Sequence, residues 1–328
     1  MPKPRSRAKA GRSIGGGPLP VVDCGGTWLK GARVDGRGTL GGRERRPTGA
    51  QRGVGTVTEN LAALIRDLAG GRKVAAAGIA MPGSVDAARG IVHQSPNFPG
   101  VREFGLGPLL ATKVGGKVVV ENDAKAYAIG EMWKGAARPY RSFLCLTLGT
   151  GLGGAAILDG RLWRGVHNMA GELGHTPLHA DGPPCTCGSR GCLEVYASAR
   201  GLQRAFETAK ADGKRTSIEA AEPTPEEMAR AAREGDPAAR EAWEALGRRL
   251  GAGIAGLLNA FDVEAVVVGG GLSTGWDLFG ESARQQVGAR AFRLVAEKAL
   301  IVPAELGDDA GVIGMARLAR ARLEGRPL

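Results

Sequence analysis

One local unit is written twice into this chain of 328 residues. An apolar run, Leu19–Val22, ends on Asp23. It is followed by the tight turn Cys24-Gly25-Gly26-Thr27, an alternating stretch Trp28–Val34 and the turn signal Asp35-Gly36. The second copy runs through Phe143–Leu148, Gly149-Thr150-Gly151-Leu152-Gly153-Gly154, Ala155–Leu158 and Asp159-Gly160. Short apolar runs bounded by glycine read as strands, and Asp-Gly is a hairpin turn. A unit used twice implies two related α/β halves facing each other.

The segments around the two copies supply the helices. Val54, Val57, Leu61, Leu64, Ile65 and Leu68 fall on one helical stripe. Val74–Ala80 reads as a strand closed by Met81-Pro82-Gly83. Lys117–Val120 is another, running into Glu121-Asn122-Asp123 and a helix over Ala124–Trp133. Beyond the second copy, Arg200–Lys210 has helical character. A short helix over Pro223–Arg233 has Thr224 as its cap, and a longer one starts at Asp236, with Pro237 in its first turn, and reaches Ala260. Ala265–Val268 is a buried strand entering Gly269-Gly270-Gly271, and Asp309–Leu323 is a closing helix. Strands alternating with helices define an α/β protein. The expected division is a disordered basic tail over residues 1–18, a small α/β domain over 19–124 plus 308–328, and a large α/β domain over 125–307.

The most specific chemical signal lies in the second half. His175 is followed by Cys185, Cys187 and Cys192, so three of the chain's five cysteines sit beside one histidine. Three thiolates and one imidazole close the shell of a tetrahedral zinc ion and leave no position for a catalytic water. The metal would brace a loop that carries two carboxylates, Glu172 and Glu194. His179 competes with His175 as the fourth ligand. A disulfide among the three cysteines is the plainer reading, disfavoured in a reducing cytosol. A nucleic-acid-binding zinc ribbon would ordinarily pair two knuckles, and here there is one tight cluster.

Gly149-x-Gly151-x-x-Gly154 matches the dinucleotide fingerprint as a string, but a returning strand follows it where the fingerprint needs a helix. No phosphate-loop motif with its lysine occurs. Two Gly/Thr turns can still hold phosphate, because small residues let backbone N–H groups approach an anion and Thr27 and Thr150 add hydroxyls. Lys30 adds positive charge just past the first turn. Either turn alone reads equally as a plain hairpin. Asp123 ends an apolar strand and starts a helix, where open α/β sheets place ligands. It either caps that helix or acts as a base toward a hydroxyl attacking a terminal phosphate.

Bulk composition narrows the class. Hydrophobic residues make up 43% of the chain, and no run approaches the ~18 apolar residues that span a bilayer. No apolar signal-peptide core stands near Met1. Net charge is +11, with Lys3, Arg5, Arg7, Lys9 and Arg12 concentrated in an acid-free start, so the body is only mildly basic. That balance suits anionic phosphate substrates without demanding nucleic acid. Cys24 and Cys145 read as small buried hydrophobes. A cytoplasmic enzyme with no membrane and no nucleic-acid partner is the expectation.

Together these pieces resemble the ROK family of sugar kinases, within the actin-like ATPase (ribonuclease H-like) superfamily. The carriers are Asp23-Cys-Gly-Gly-Thr27, Glu121-Asn-Asp123, Gly149-Thr-Gly151-x-Gly153, the Gly171–His175 and cysteine block, and Val268-Gly-Gly-Gly271. The resemblance spans about Val21 to Leu318. It implies a two-domain fold with a cleft and ATP-dependent phosphorylation of a hexose at its 6-hydroxyl, with glucose as the expected sugar. Asp123 would be the general base. Asn97, Asn122, Glu172, His175 and Glu194 would bind the other hydroxyls beside it. Gly25, Gly26, Thr27, Lys30, Gly149, Thr150, Gly151 and Gly153 would hold the phosphates with Mg²⁺, Asp23 would sit close to that metal, and Gly269, Gly270 and Gly271 would lie near the adenosine. His175, Cys185, Cys187 and Cys192 would hold structural Zn²⁺, and a homodimer is the family's usual form.

Ser95-Pro96-Asn97-Phe98-Pro99-Gly100 resembles the sugar loop of the glucokinase subset. Two positions depart from it. Lys125 stands where asparagine is frequent, as a solvated helix residue or as a charge near the phosphoryl group. Val101 replaces a common tryptophan. These leave an N-acetylmannosamine, N-acetylglucosamine or fructose kinase as alternatives. A sugar-sensing protein without transfer activity is the alternative of a different class. The roughly twenty residues before the first strand are too few for a DNA-binding helix-turn-helix.

Overall fold

The computed structural model describes residues 17–98 and 100–326. The expected basic tail lies outside these residues, except for its last two. The first unit folds as a three-stranded meander of β1 (Leu19–Cys24), β2 (Trp28–Val34) and β3 (Leu40–Pro47). Helix α1 (Val54–Ala69) then crosses to β4 (Ala76–Met81). A small hairpin, β5 (Ser84–Asp86) with β6 (Ile91–Gln94), and α2 (Leu106–Val114) lead to β7 (Lys117–Asn122) and α3 (Asp123–Lys134). The first sheet has the order β3-β2-β1-β4-β7, with β1, β4 and β7 parallel.

The second unit repeats the plan. Strands β8 (Phe143–Leu148), β9 (Leu152–Leu158) and β10 (Arg161–Leu162) form the meander. Asp159 and Gly160 both adopt left-handed conformations, at φ 51° and 76°, as a tight Asp-Gly hairpin turn requires. A long excursion follows, ending in α4 (Ala199–Ala211), α5 (Pro225–Arg233) and α6 (Pro237–Phe261). Then come β11 (Ala265–Gly269), α7 (Trp276–Arg290), α8 (Arg293–Lys298), β12 (Leu300–Pro303) and α9 (Ala310–Leu323). The second sheet has the order β10-β9-β8-β11-β12, so the two sheets share one topology.

Alternation along the strands decides which face goes where. Leu144, Leu146 and Leu148 of β8 and Val266 and Val268 of β11 join the core under α4, α6 and α7. Their neighbours Phe143, Cys145, Ala265 and Val267 face the other way, into a core shared with Val21, Ala80 and helices α3 and α9. The first sheet's outer face is covered by α1, whose Val57, Leu61, Leu64, Ile65 and Leu68 are buried as their spacing predicts.

Helices α3 and α9 lie between the sheets and pack closely on each other, while α9 leans on the first sheet and α3 on the second. Each half is thus sealed by a helix that follows the other half. The crossing is possible because Gly130 and Gly314 have no Cβ: one built on Gly314 would overlap the Ala126 carbonyl oxygen, and one on Gly130 the Ala310 carbonyl oxygen.

Capping follows sequence. Thr224 and Glu227 form a reciprocal capping box on α5, and Asp236 caps α6 ahead of Pro237. Sequence patterns did not reveal β3, α2 or α7. β3 reads Leu-Gly-Gly-Arg-Glu-Arg-Arg-Pro, an exposed edge strand whose charges guard its free side.

Candidate active site

The carboxyl ends of the parallel strands gather the acids. β1 ends at Asp23-Cys24, β4 at Met81 and β7 at Asn122, immediately before Asp123. The cap of α3 is Asn122, whose Oδ1 accepts the Lys125 N–H at 3.0 Å while its Nδ2 donates to the Gly83 carbonyl at 3.0 Å. Asp123 is therefore released from the capping role and occupies the first helical turn, its Oδ1 accepting the Ala124 N–H at 2.8 Å. Burial pushes its pKa up to about 7, and the carboxylates of Asp23 and Glu172 push the same way. Asp23 is itself raised by burial, against the pull of Lys30.

The metal-ligand cluster is closed. One donor atom from each of His175, Cys185, Cys187 and Cys192 lies within 4.8 Å of every other. Cys187 Sγ and Cys192 Sγ are 3.7 Å apart, and Cys185 Sγ is 3.5 Å from His175 Nδ1. Tetrahedral zinc, with Zn–S near 2.3 Å and Zn–N near 2.05 Å, requires edges of ~3.5–3.8 Å, so these residues fit that ion. The five cysteines are free thiols, which removes the disulfide reading. His179 lies outside this cluster: its Nε2 is 3.0 Å from Arg249 Nη1 and its ring meets Tyr196 edge-on. Gly191 makes the loop compact, with φ 64° and no room for a side chain against the His179 carbonyl.

Glu172 and Glu194 flank this cluster. Burial raises the pKa of Glu172, while His175 and Lys125 oppose the shift and Glu194 adds to it. Glu194 Oε2 accepts the Leu152 N–H at 3.0 Å, and its Oε1 lies 3.6 Å from Cys185 Sγ. A Cβ on Gly151 would fall 2.5 Å from that same Oε2. The metal loop thus grips the second glycine turn through one carboxylate.

The first turn is held differently. Thr48 Oγ1 donates to the Gly25 carbonyl at 2.7 Å and the Thr48 N–H to the Thr27 carbonyl at 2.9 Å. Gly26 stands against the Asn97 side chain, where a Cβ would come within 3.1 Å of Cγ. Lys30 pairs with Asp308 at 2.9 Å. β8 and β11 are adjacent and parallel, so the Gly149–Gly153 turn and Gly269–Gly271 open side by side. Gly270 is left-handed at φ 83°, and its N–H points to the Tyr127 hydroxyl at 3.5 Å.

The ROK family profile matches residues 20–322. The chain belongs to the ROK family. It is 38% identical to the glucokinase of Streptomyces coelicolor over 312 residues, covering 91% of this chain and 96% of that one. It is 33% identical to the glucokinase of Thermotoga maritima over 309 residues, covering 93% and 98%. Among solved structures, a ROK family glucokinase from Streptomyces griseus in complex with glucose and AMPPNP superposes with a TM-score of 0.80 at 34% identity, covering 93% of this chain and 99% of that one. The actin-like ATPase fold expected from the motifs is thereby established.

For three groups of this ROK protein the partners escape sequence reading. Glu121, only 1% exposed, accepts the Asn122 N–H at 3.0 Å and pairs with Arg164 at 2.8 Å. No spacing rule links residues 43 positions apart. Lys125 is not solvated: it is 2% exposed, and its Nζ donates to the Asn168 carbonyl at 2.9 Å. Burial depresses its pKa, while Glu121 and Glu172 support its charge. Thr48 has no motif at all; its role follows from the β2–β3 register.

Proposed function

We propose that this ROK protein is an ATP-dependent hexokinase that phosphorylates glucose at its 6-hydroxyl. The observation that carries the reading is Asp123: a half-buried carboxylate freed from capping, close to Asp23 and Glu172, with a pKa of about 7. A base poised near the working pH is what proton removal from an alcohol needs. In this reading Asn97, Asn122, Glu172, His175 and Glu194 bind sugar hydroxyls, accepting and donating to vicinal pairs. The Asn122 amide also fixes the strand end on which Asp123 stands, through one bond on each side, and keeps a second N–H and a second lone pair for the sugar. The proton of the 6-hydroxyl passes to Asp123 as the new O–P bond forms and the bond to the leaving ADP breaks.

The Gly25–Thr27 and Gly149–Gly153 turns, with Lys30, receive the phosphates, and Gly269–Gly271 border the adenosine. Asp23 offers the hard oxygen that Mg²⁺ takes, and the mutual repulsion of Asp23 and Asp123 is what a cation nearby would relieve. Zn²⁺ on His175, Cys185, Cys187 and Cys192 supplies no chemistry and fixes the loop bearing Glu172 and Glu194. Residues 19–124 with 308–328 and residues 125–307 act as two domains that close on the substrates and exclude water. A cytoplasmic setting keeps the thiols reduced, and a homodimer is the expected form.

A second reading has an observation of its own. A cavity of about 480 Å³ lies along Ser95, Phe98, Val101 and Met169, beside the expected sugar loop. Room there would suit a bulkier amino sugar only if its substituent reaches past Asn97 and Glu172, neither of which lines the cavity. ADP release measured across glucose, mannose, fructose, N-acetylglucosamine and N-acetylmannosamine tests both readings, and polyphosphate in place of ATP tests the donor. Glucose should give the highest kcat/KM. An N-acetyl sugar ahead of it would transfer the assignment, and turnover with none would end the kinase reading.

A further inference from the structure

A second cleft, of about 390 Å³, opens on the far side of β7. Its floor is apolar, built by Val118, Val119 and Leu318. Its rim is not: Arg89, Arg164, Arg322 and Arg326 all line it. Glu121 is the one carboxylate among the described lining residues, and it is already paired with Arg164 at 2.8 Å. Arg326 meets Glu324 at 3.3 Å, and Arg89 stands 4.0 Å from Asp86. Asp86 is itself occupied with the N–H groups of Ala88 and Arg89, at 3.0 and 3.2 Å. Arg322 has no ion pair among the described residues. The positive charge at this rim therefore exceeds what the protein neutralises.

The four guanidinium groups come from three separate segments: the β5–β6 turn (Arg89), the loop after β10 (Arg164) and the C-terminal end of α9 with the residues just past it (Arg322 and Arg326). Cations brought together from distant parts of a chain repel one another, at a cost that a bound anion offsets. The cleft volume is that of a small-molecule site, which typically occupies about 300–1,000 Å³. Guanidinium forks suit phosphate oxygens, and the apolar floor suits the carbon skeleton of an ester.

We propose that this cleft binds a phosphorylated small molecule of sugar-phosphate size, at a site separate from the nucleotide turns. The ligand's phosphate sits on Arg89, Arg322 and Arg326, and its body lies on Val118, Val119 and Leu318. On the inner side it meets Arg164, which is bonded to Glu121, which in turn holds the N–H of Asn122. An occupant thus rests one chain of hydrogen bonds away from the end of the strand that carries Asp123.

The test is calorimetric titration of the full chain with its sugar and nucleotide sites saturated by glucose and AMPPNP. Three probes are compared: fructose 1,6-bisphosphate, inorganic tripolyphosphate and inorganic phosphate. The sugar bisphosphate should bind at one equivalent, more tightly than inorganic phosphate, and weaken with added salt. Arg322→Ala with Arg326→Ala should weaken it by about tenfold or more, with the KM values for glucose and ATP unchanged. The Lys pair at the same positions should recover part of the loss. If tripolyphosphate binds and the sugar bisphosphate does not, the occupant is a free phosphate chain and the sugar-phosphate proposal fails. No binding of any probe, or equal binding by the Ala pair, would overturn the site altogether.

Discussion

The two halves of this protein share a strand order and diverge in what they hang on it. In the first, the turn after the leading strand is pinned by a single residue, Thr48, and the chain crosses directly through α1 to the next parallel strand. In the second, the corresponding crossover swells into the excursion from Trp163 to Glu264, which holds the His175–Cys192 cluster and α4–α6. That excursion returns to its own turn through the contact of Glu194 with Leu152. In the proposed reaction the first half contributes the base for proton removal. The second adds a braced platform of carboxylates and imidazole. In that reading one topology divides into a chemical half, which also carries Asn97 and Asn122, and a recognition half built on the metal-binding loop, and the division lies in what was inserted rather than in the sheets.

The sharpest way to break this division is Asp123→Asn. If the first half supplies the chemistry, kcat should fall by about 10²–10⁴-fold while glucose still binds at nearly its original affinity. Comparable losses in kcat and in affinity would mean that the two halves do not separate these tasks. The next test strikes the recognition half. Cys192→Ser, or prolonged chelation, should release the loop that carries Glu172 and Glu194. The KM for glucose should then rise by about 10–100-fold, with a smaller change in the KM for ATP. Elemental analysis should find about one zinc per intact chain and none in the variant. Unchanged glucose affinity in a verified metal-free protein would remove the cluster's proposed purpose.

The sequence exposes the two halves unequally as well. The strand–turn–strand units are legible because their signals are local: alternation, glycine and Asp-Gly at fixed offsets. The metal cluster is legible for the same reason, since four ligands of the right type lie within one loop. Asp123 is legible by position only, and two readings stay open until Asn122 is seen to take the cap. What the sequence conceals is pairing over distance. Arg164 reaches Glu121, and Lys125 reaches the carbonyl of Asn168, through contacts that no periodicity encodes. Lys125 illustrates the failure best. From sequence it reads either as a solvated helix charge or as a charge near the phosphoryl group, and packing of the β10 excursion over α3 buries it. Helix α7 is missed because Trp276–Arg290 carries only a faint apolar stripe, its burial coming from α6.

The seam between the halves gives a smaller effect. Gly314 and Gly130 let α3 and α9 cross backbone to backbone. Gly314→Ala adds a methyl with no space to enter, so the helices must separate. Overpacking of this kind costs about 1–3 kcal/mol, read as a lower denaturation midpoint. Gly256 of α6, where an added Cβ meets nothing within 4 Å, is the control, and Gly256→Ala should be neutral or stabilising. If both substitutions behave alike, the crossing does not depend on close approach.

The mildest expected effect tests Asp123 without reference to substrate. Its carboxyl carries a pKa of about 7 in the folded protein against an ordinary 3.8, chiefly through burial. The native state therefore holds this proton more firmly than the unfolded chain does. Below the unfolded value both states are protonated and the site costs nothing. Between about pH 4 and 7 the unfolded chain ionises first, so stability drains as pH rises, and above the folded value the cost is constant. Asparagine never ionises and escapes it. Asp123→Asn should consequently melt above the parent protein at pH 8, by a margin that narrows at pH 5.5. Comparing the two proteins at each pH cancels the titration of groups remote from the site and leaves that of Asp123 with its coupled neighbours Asp23 and Glu172. With Asp123 as the base of the proposed reaction, kcat/KM should fall about tenfold per unit as pH drops below 7. A melting margin that stays constant from pH 5.5 to 8 would mean that Asp123 is ionised throughout, and the chemical half would then lack its poised base.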